Sequence, residues 1–261
     1  MTETVADIYR RDGIVQIPQL LEPAEIEQIK TTFMDQVAAD LSLAIDDGVP
    51  DDDPLARYPR FVHPHRRADL PVGKLSLELM LDSRILDVVT VLIGPALGAQ
   101  SMFYFKPPGA RGQALHQDNM SLRADPETCL AAWIAVDDVD ADNGGLAVVP
   151  GSHQVDLLCP EPADLTQSFT GAEVPVPEGL SKVQTKMRAG DALFFHGSVV
   201  HGSRPNTTAD RFRRALIFHY IPEDSTVIAA FYNPLVRPDR RPAVLPEAIG
   251  GGPCGDYAAE T

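Results

Sequence analysis

Between residues 99 and 221 the chain is a succession of short apolar runs, each closed by a turn signal, and few folds accept that pattern. Residues 100–106 alternate, with Met102, Tyr104 and Lys106 facing one way and Phe103 and Phe105 the other. Further strand-like runs cover residues 129–136, 146–149, 183–187, 191–195 and 214–221. Pro107-Pro108-Gly109, Asn143-Gly144-Gly145 and Pro150-Gly151-Ser152 supply the turns. Many short strands at this spacing, after a helical N-terminal part, predict a β-sandwich or jelly roll.

The N-terminal part reads differently. Gly13-Ile14-Val15-Gln16-Ile17-Pro18 predicts a short strand, and Pro23 then suits the first position of a helix with acids close behind it. Ile26, Ile29, Phe33, Val37 and Leu41 recur at helical spacing and form one apolar stripe. A second helix is expected over residues 75–93, stopped by Gly94-Pro95. Between them, residues 43–73 carry Pro50, Pro54, Pro59, Pro64 and Pro71, an irregular stretch long enough to be an active-site lid. It holds the basic cluster Arg60-Phe61-Val62-His63-Pro64-His65-Arg66-Arg67, placed either near a negatively charged substrate or cofactor carboxylate or in ordinary surface pairing. Beyond Pro222 the chain turns rich in Pro and Gly, and its last dozen residues are expected to be loosely held. One domain of 261 residues follows: a helical part with the candidate lid (1–94), a β core (95–222) and a C-terminal extension (223–261).

The formal charge of −15 argues against nucleic-acid or anionic-membrane partners, which reward clustered Lys and Arg. Asp46-Asp47 and Asp51-Asp52-Asp53 read as a solvated loop. Cys129, Cys159 and Cys254 lack metal-ligand spacing and cannot all pair with one another, which suits a reducing compartment. The opening Met1-Thr2-Glu3-Thr4 is unlike a signal peptide, and no apolar run is long enough to span a bilayer. A cytoplasmic protein acting on a small molecule is expected.

Chemistry is concentrated in Leu115-His116-Gln117-Asp118-Asn119. In an extended chain His116 and Asp118 leave the same face while Gln117 points away. One later histidine would complete a two-histidine, one-carboxylate facial triad, a set that suits Fe(II) and leaves three coordination positions open. Phe195-His196-Gly197-Ser198 and Val200-His201-Gly202-Ser203 each offer one, and spacing does not choose between His196 and His201.

Seven segments in order resemble the phytanoyl-CoA dioxygenase family. They are Phe105-Lys106-Pro107-Pro108, Leu115-His116-Gln117-Asp118, Ala132-Trp133-Ile134-Ala135-Val136-Asp137-Asp138, Asp142-Asn143-Gly144-Gly145-Leu146, Val149-Pro150-Gly151-Ser152-His153, Gly190-Asp191-Ala192-Leu193-Phe194-Phe195-His196 and His201-Gly202-Ser203-Arg204-Pro205-Asn206. Together they span residues 95–222, and residues 13–41 fit the family's opening.

The resemblance implies a mainly β protein with flanking helices around a double-stranded β-helix (a cupin-like jelly roll). It also implies a dioxygenase that uses Fe(II), 2-oxoglutarate and O2. It makes His116, Asp118 and His201 the metal ligands and leaves His196 structural. Ser203, Met102, Tyr104 and Trp133 match positions that line the co-substrate. The distant carboxylate of 2-oxoglutarate calls for a fixed bidentate cation. Patterning does not separate Arg213 from Arg214, and the family's arrangement favours Arg213. Asn119, Met120 and Arg123 are expected to border the substrate pocket; the role of Lys106 stays open. Hydroxylation of an unactivated carbon, with release of succinate and CO2, is the implied default among desaturation, epoxidation and rearrangement. Halogenation is disfavoured because Asp118 is present. The alternative is a metal-binding jelly roll without turnover.

Overall fold

The fold is that of a computed structural model, which describes residues 3–42, 44 and 49–249. In chain order its regular elements are α1 (Val5–Asp12), β1 (Ile14–Ile17), α2 (Pro23–Ala39), α3 (Pro54–Arg57), β2 (Phe61–Val62), α4 (Pro71–Met80), α5 (Ser83–Ile93) and β3 (Ala96–Tyr104). Then follow β4 (Gln113–His116), α6 (Asn119–Leu122), β5 (Leu130–Ala135), β6 (Leu146–Val148), β7 (Glu161–Pro162), β8 (Ala172–Glu173) and β9 (Val183–Gln184). The chain closes with β10 (Ala192–His196), β11 (His201–Ser203), β12 (Ala215–Pro222), β13 (Leu235–Val236) and β14 (Pro242–Ala243).

The expected jelly roll is present. A large antiparallel sheet runs β1-β10-β5-β12-β3-β13-β14, with β2 also on β3, and a smaller one runs β4-β11-β6-β9. Alternation along β12 sends Ala215, Ile217 and His219 inward, and Leu216 and Phe218 outward, because successive side chains leave opposite faces of a strand. Ala215 and Ile217 join Met102, Trp133, Phe195, Leu146 and Val148 in an apolar layer between the two sheets. On the outer face Phe103, Phe194, Leu216, Phe218 and Tyr220 pack against Ile26, Ile29 and Phe33 of α2 and against Leu79, Met80, Ile85 and Val89 of α4 and α5. Phe33 stacks on Phe103 at 3.9 Å between ring centres. The sheet is therefore buried on both faces, which explains why its strands read as almost continuous apolar runs.

Some boundaries differ from expectation. The helix foreseen over residues 75–93 is two helices, because Asp82 caps a new start by accepting a hydrogen bond from the Arg84 amide. Leu41 lies beyond the end of α2 and is exposed. The irregular stretch contains α3 and β2, and Asp53 is not solvated: it caps α3 and pairs with Arg111 at 2.7 Å. Asp46 and Asp47 lie outside the described residues, as do residues 250–261. The first part of the C-terminal extension is fixed in place, with Val236 paired to Gly98. Cys129 is free and buried whereas Cys159 is disulfide-bonded, so the cysteines lend no support to a reducing compartment. No helix among the described residues is long and apolar enough to cross a membrane.

Candidate metal and co-substrate site

His116 ends β4 and His201 opens β11, and the two are cross-strand partners in the smaller sheet. Asp118 sits at the head of the short helix α6, already in helical conformation, so the extended reading holds only as far as His116. Gln117 does point away, donating to the Ser198 carbonyl and accepting from the Leu158 amide. The ligand atoms of His116, Asp118 and His201 all lie within 4.8 Å of one another. The Nδ1 atoms of His116 and His201 are each 2.9 Å from a main-chain carbonyl, of Ala114 and Val199. Those bonds place the ring protons on Nδ1 and leave the Nε2 lone pairs facing Asp118 Oδ1, at 3.6 and 3.7 Å. Two such lone pairs and one carboxylate oxygen fit an Fe(II) ion.

The electrostatics agree. Burial alone would raise the Asp118 carboxyl, but the imidazoles of His201, His219 and His116 outweigh it and keep the group well below the usual carboxylate range. Burial pushes His201 down to about 4, so its ring is neutral near pH 7 and able to ligate. His196 points elsewhere: its Nδ1 accepts from the Ser198 amide, and its ring lies among Tyr9 and His153.

The three ligand residues line a cavity of ≈ 230 Å³ together with Met102, Tyr104, Trp133, Ser203 and Arg213. Arg213 is almost fully buried, and no acid among the described residues forms an ion pair with it. Burial pushes it down to about 10, so it stays charged at neutral pH. Its Nε donates to the Gly144 carbonyl at 3.1 Å, and its guanidinium carbon lies 5.7 Å from the Trp133 ring centre. Arg214 faces outward and is bound by Asp137 through both Nε and Nη2, at 2.8 and 2.7 Å. A buried cation without an acid is the feature that accepts a carboxylate, and Arg213 alone of the pair has it.

Lys106 completes this end. Its ammonium, buried, donates to Ser203 Oγ and the Arg204 carbonyl at 2.7 Å and to the Gly144 carbonyl at 3.2 Å. Burial, and then the charge of Arg213, hold its pKa well below the ordinary lysine value. Ser203 Oγ also accepts from the Gln113 amide at 3.2 Å, so both its lone pairs are engaged and its own proton is free to be donated into the cavity. Gly144 must be glycine: its φ is +77°, and a Cβ would meet the Lys106 side chain at 2.5 Å and the Arg204 carbonyl at 2.6 Å.

The opposite end of the cavity is lined by Gln100, Ser121, Leu122, His219, Phe231 and Tyr232. Asn119 and Met120 were expected there and are not. Asn119 is buried, donating to Ser198 Oγ and accepting from the Cys129 amide, and Met120 packs against Leu115 and its neighbours. Arg123 closes α6 in a left-handed conformation and is absent from this lining. Ser121 and Leu122 take their place because, in a helical turn, the third and fourth residues after Asp118 return to its face while the first two turn away. Of the basic cluster, Arg60 reaches the cavity and donates to the Tyr104 hydroxyl at 3.1 Å. His63 and His65 are buried, Arg66 binds the Tyr232 carbonyl and Arg67 pairs with Asp69. Sequence reasoning missed His219, Gln100, Phe231 and Tyr232. His219 and Gln100 carried a signal, being the polar residues that share alternation with Ala215 and Ile217 and with Met102 and Tyr104.

Fold and site together are those of the jelly-roll proteins that gather two histidines and a carboxylate at one end of a double-stranded β-helix. The chain belongs to the phytanoyl-CoA dioxygenase (PhyH) family, whose model matches residues 9–215. It is 34% identical to phytanoyl-CoA dioxygenase 1 of Oryza sativa subsp. japonica over 123 residues, 47% of this chain and 43% of that protein. The chain thus spans less than half the length of that relative. It is 29% identical to the ectoine dioxygenase of Nocardia farcinica over 263 residues, 93% of this chain and 82% of that one. Among solved structures it resembles the epimerase SnoN of nogalamycin biosynthesis, in complex with Fe3+, alpha ketoglutarate and nogalamycin RO. The TM-score is 0.70 at 22% identity, over 95% of this chain and 94% of that one.

Proposed function

We propose that this chain is an Fe(II)- and 2-oxoglutarate-dependent dioxygenase that hydroxylates an unactivated carbon of a small molecule, releasing succinate and CO2. One observation carries the reading: three ligand atoms within 4.8 Å of one another share a cavity with a buried arginine that has no acid partner among the described residues. His116, Asp118 and His201 would hold the iron, which when bound with 2-oxoglutarate and O2 supplies the oxidising power. The chain's own part is binding, orientation and exclusion of competing reactions.

Arg213 takes the distant carboxylate of the co-substrate as a bidentate cation, and the Ser203 hydroxyl donates to the same group. Trp133, Met102 and Ile217 wall the channel between that end and the metal ligands, excluding water from it. Tyr104 closes the channel beside Arg60. The small-molecule substrate then occupies the end lined by Gln100, Ser121, Phe231 and Tyr232. Among the described residues the charged groups of the cavity besides Asp118 are Arg60, beside Tyr104, and the co-substrate's Arg213, so the end lined by Gln100, Ser121, Phe231 and Tyr232 fits a neutral hydrogen-bonding substrate better than an anionic thioester.

The test is spectroscopic. Anaerobic Fe(II) with 2-oxoglutarate should give the weak visible charge-transfer band of a chelated keto acid, lost in His116→Ala and Asp118→Ala. A wild-type protein that binds Fe(II) but shows no band would reject the oxygenase reading in favour of a metal-binding jelly roll without turnover.

A further inference from the structure

His219 lies on the inward face of β12, opposite Gln100 of β3 and Ala131 of β5. It is buried, and its Nε2 is 3.1 Å from Asp118 Oδ2. Its Nδ1 is also buried and has no partner among the described residues. A ring whose one hydrogen-bond partner is a carboxylate carries its proton on the nitrogen facing that carboxylate, so Nε2–H donates to Oδ2.

The two oxygens of Asp118 are thereby made unlike. Oδ1 faces the Nε2 atoms of His116 and His201, while Oδ2 is occupied by His219. A carboxylate free at both oxygens can swing to bind an ion through either or both. Two-oxygen binding would consume one of the three positions that a facial triad must leave open. We propose that His219 is a positioning residue that holds Asp118 as a one-oxygen ligand, an inference that rests on the metal-site reading above.

Packing does not account for the histidine. Its strand neighbours Ile217, Phe218 and Tyr220 are buried members of the apolar clusters, and an apolar side chain at position 219 would bury no orphaned nitrogen. Leaving Nδ1 buried without a partner is unfavourable, so the imidazole sits here against its packing cost. What it gains in exchange is the bond to Asp118. Supporting partners of this kind tune metal affinity because they fix the orientation of the ligand that they hold.

The experiment is an anaerobic Co(II) titration of metal-free protein, read by visible absorption and by affinity, with no turnover required. His219→Phe is expected to weaken Co(II) binding about 10- to 100-fold and to lower the visible intensity, as a higher coordination number does. His219→Gln keeps an N–H donor and should recover affinity to within about 3-fold of wild type, less than half a decade of binding. If His219→Phe does not fold, as judged by thermal melting without metal, His219→Met removes the donor at similar volume. Wild-type affinity and an unchanged spectrum in the donorless variant would overturn the proposal, as would a His219→Gln variant as impaired as His219→Phe. A wild-type protein that binds no Co(II) would instead sink the metal-site reading itself.

Discussion

Lys106 and Arg213 donate to the same oxygen: the Gly144 carbonyl accepts from Lys106 Nζ at 3.2 Å and from Arg213 Nε at 3.1 Å. Two buried cations held on one neutral acceptor repel each other, and that repulsion adds to burial in holding the Lys106 ammonium below the ordinary lysine range. Such an arrangement is relieved when an anion enters beside it.

Arg213 should therefore carry the largest share of co-substrate affinity. Arg213→Leu is expected to raise the Kd for 2-oxoglutarate about 100-fold, near 3 kcal/mol, the value of a charge-assisted bidentate bond. Arg214→Leu should leave that Kd within about 3-fold and lower the melting temperature instead, because it removes both guanidinium bonds to Asp137 and leaves that carboxylate with Lys30 at 3.6 Å and the main-chain amide. Calorimetric titration of the Mn(II)-loaded protein separates the two. Equal losses would reject the assignment.

Lys106→Met should act through Ser203. With Nζ gone, Ser203 Oγ loses its donor at 2.7 Å and its proton is no longer directed into the cavity. The expected result is a Kd for 2-oxoglutarate raised about 10-fold, about one charge-assisted hydrogen bond, with Co(II) affinity unchanged. A parallel Ser203→Ala variant should lose as much, and the double variant little more. Additive losses would show that Lys106 acts independently of the hydroxyl.

The two candidate histidines are expected to part company in metal binding. His201→Ala should abolish Co(II) binding in the micromolar range, whereas His196→Asn should keep it within about 3-fold, less than half a decade, since the His196 ring bonds the Ser198 amide and none of the three ligand side chains. Loss in both would mean that the turn at Ser198, whose amide donates to His196 Nδ1, governs the position of the ligands.

Acid should destabilise the protein before its carboxylates titrate. Burial, then the neighbouring Arg66, holds His63 and His65 neutral down to about 3, against an ordinary 6.5. Below pH 6.5 the unfolded chain takes up protons that the folded one refuses, so stability falls as pH drops through 6.5 towards 3, by up to about 1.4 kcal/mol per unit for each ring. Between pH 6.5 and 5 the pair should remove on the order of 3 kcal/mol. The double variant His63→Asn, His65→Gln should flatten that slope in urea titrations at several pH values. Asparagine suits position 63, where φ is +53°.

Much of this site could be read from the chain because its determinants are local. The His116–Asp118 pair, the turn at Gly144 and the strand alternation that carries Met102 and Tyr104 inward are properties of a few consecutive residues. The choice of Arg213 over Arg214 was not local, since it depends on Asp137, just past the end of the neighbouring strand β5, claiming the outward guanidinium. Phe231 and Tyr232 were invisible for a similar reason. They come from a Pro-rich extension without periodicity, and their place is decided by where Leu235–Val236 finds a free sheet edge. His219 stood between these cases: its parity was legible, but its partner Asp118 is 101 residues away.

The pairing of β1 with β10 has a consequence for synthesis. Ile14 finds Phe195 across the sheet, and Gln16 bonds Asp191, 175 residues further along. On the ribosome, at about 5–20 residues per second, the first strand must wait on the order of ten seconds or more for its neighbour to be made. During that interval Val15 and Ile17 are a short apolar strand with no sheet to join. Holding that segment apart from other nascent chains is a task for the cell's chaperones, set by the topology itself.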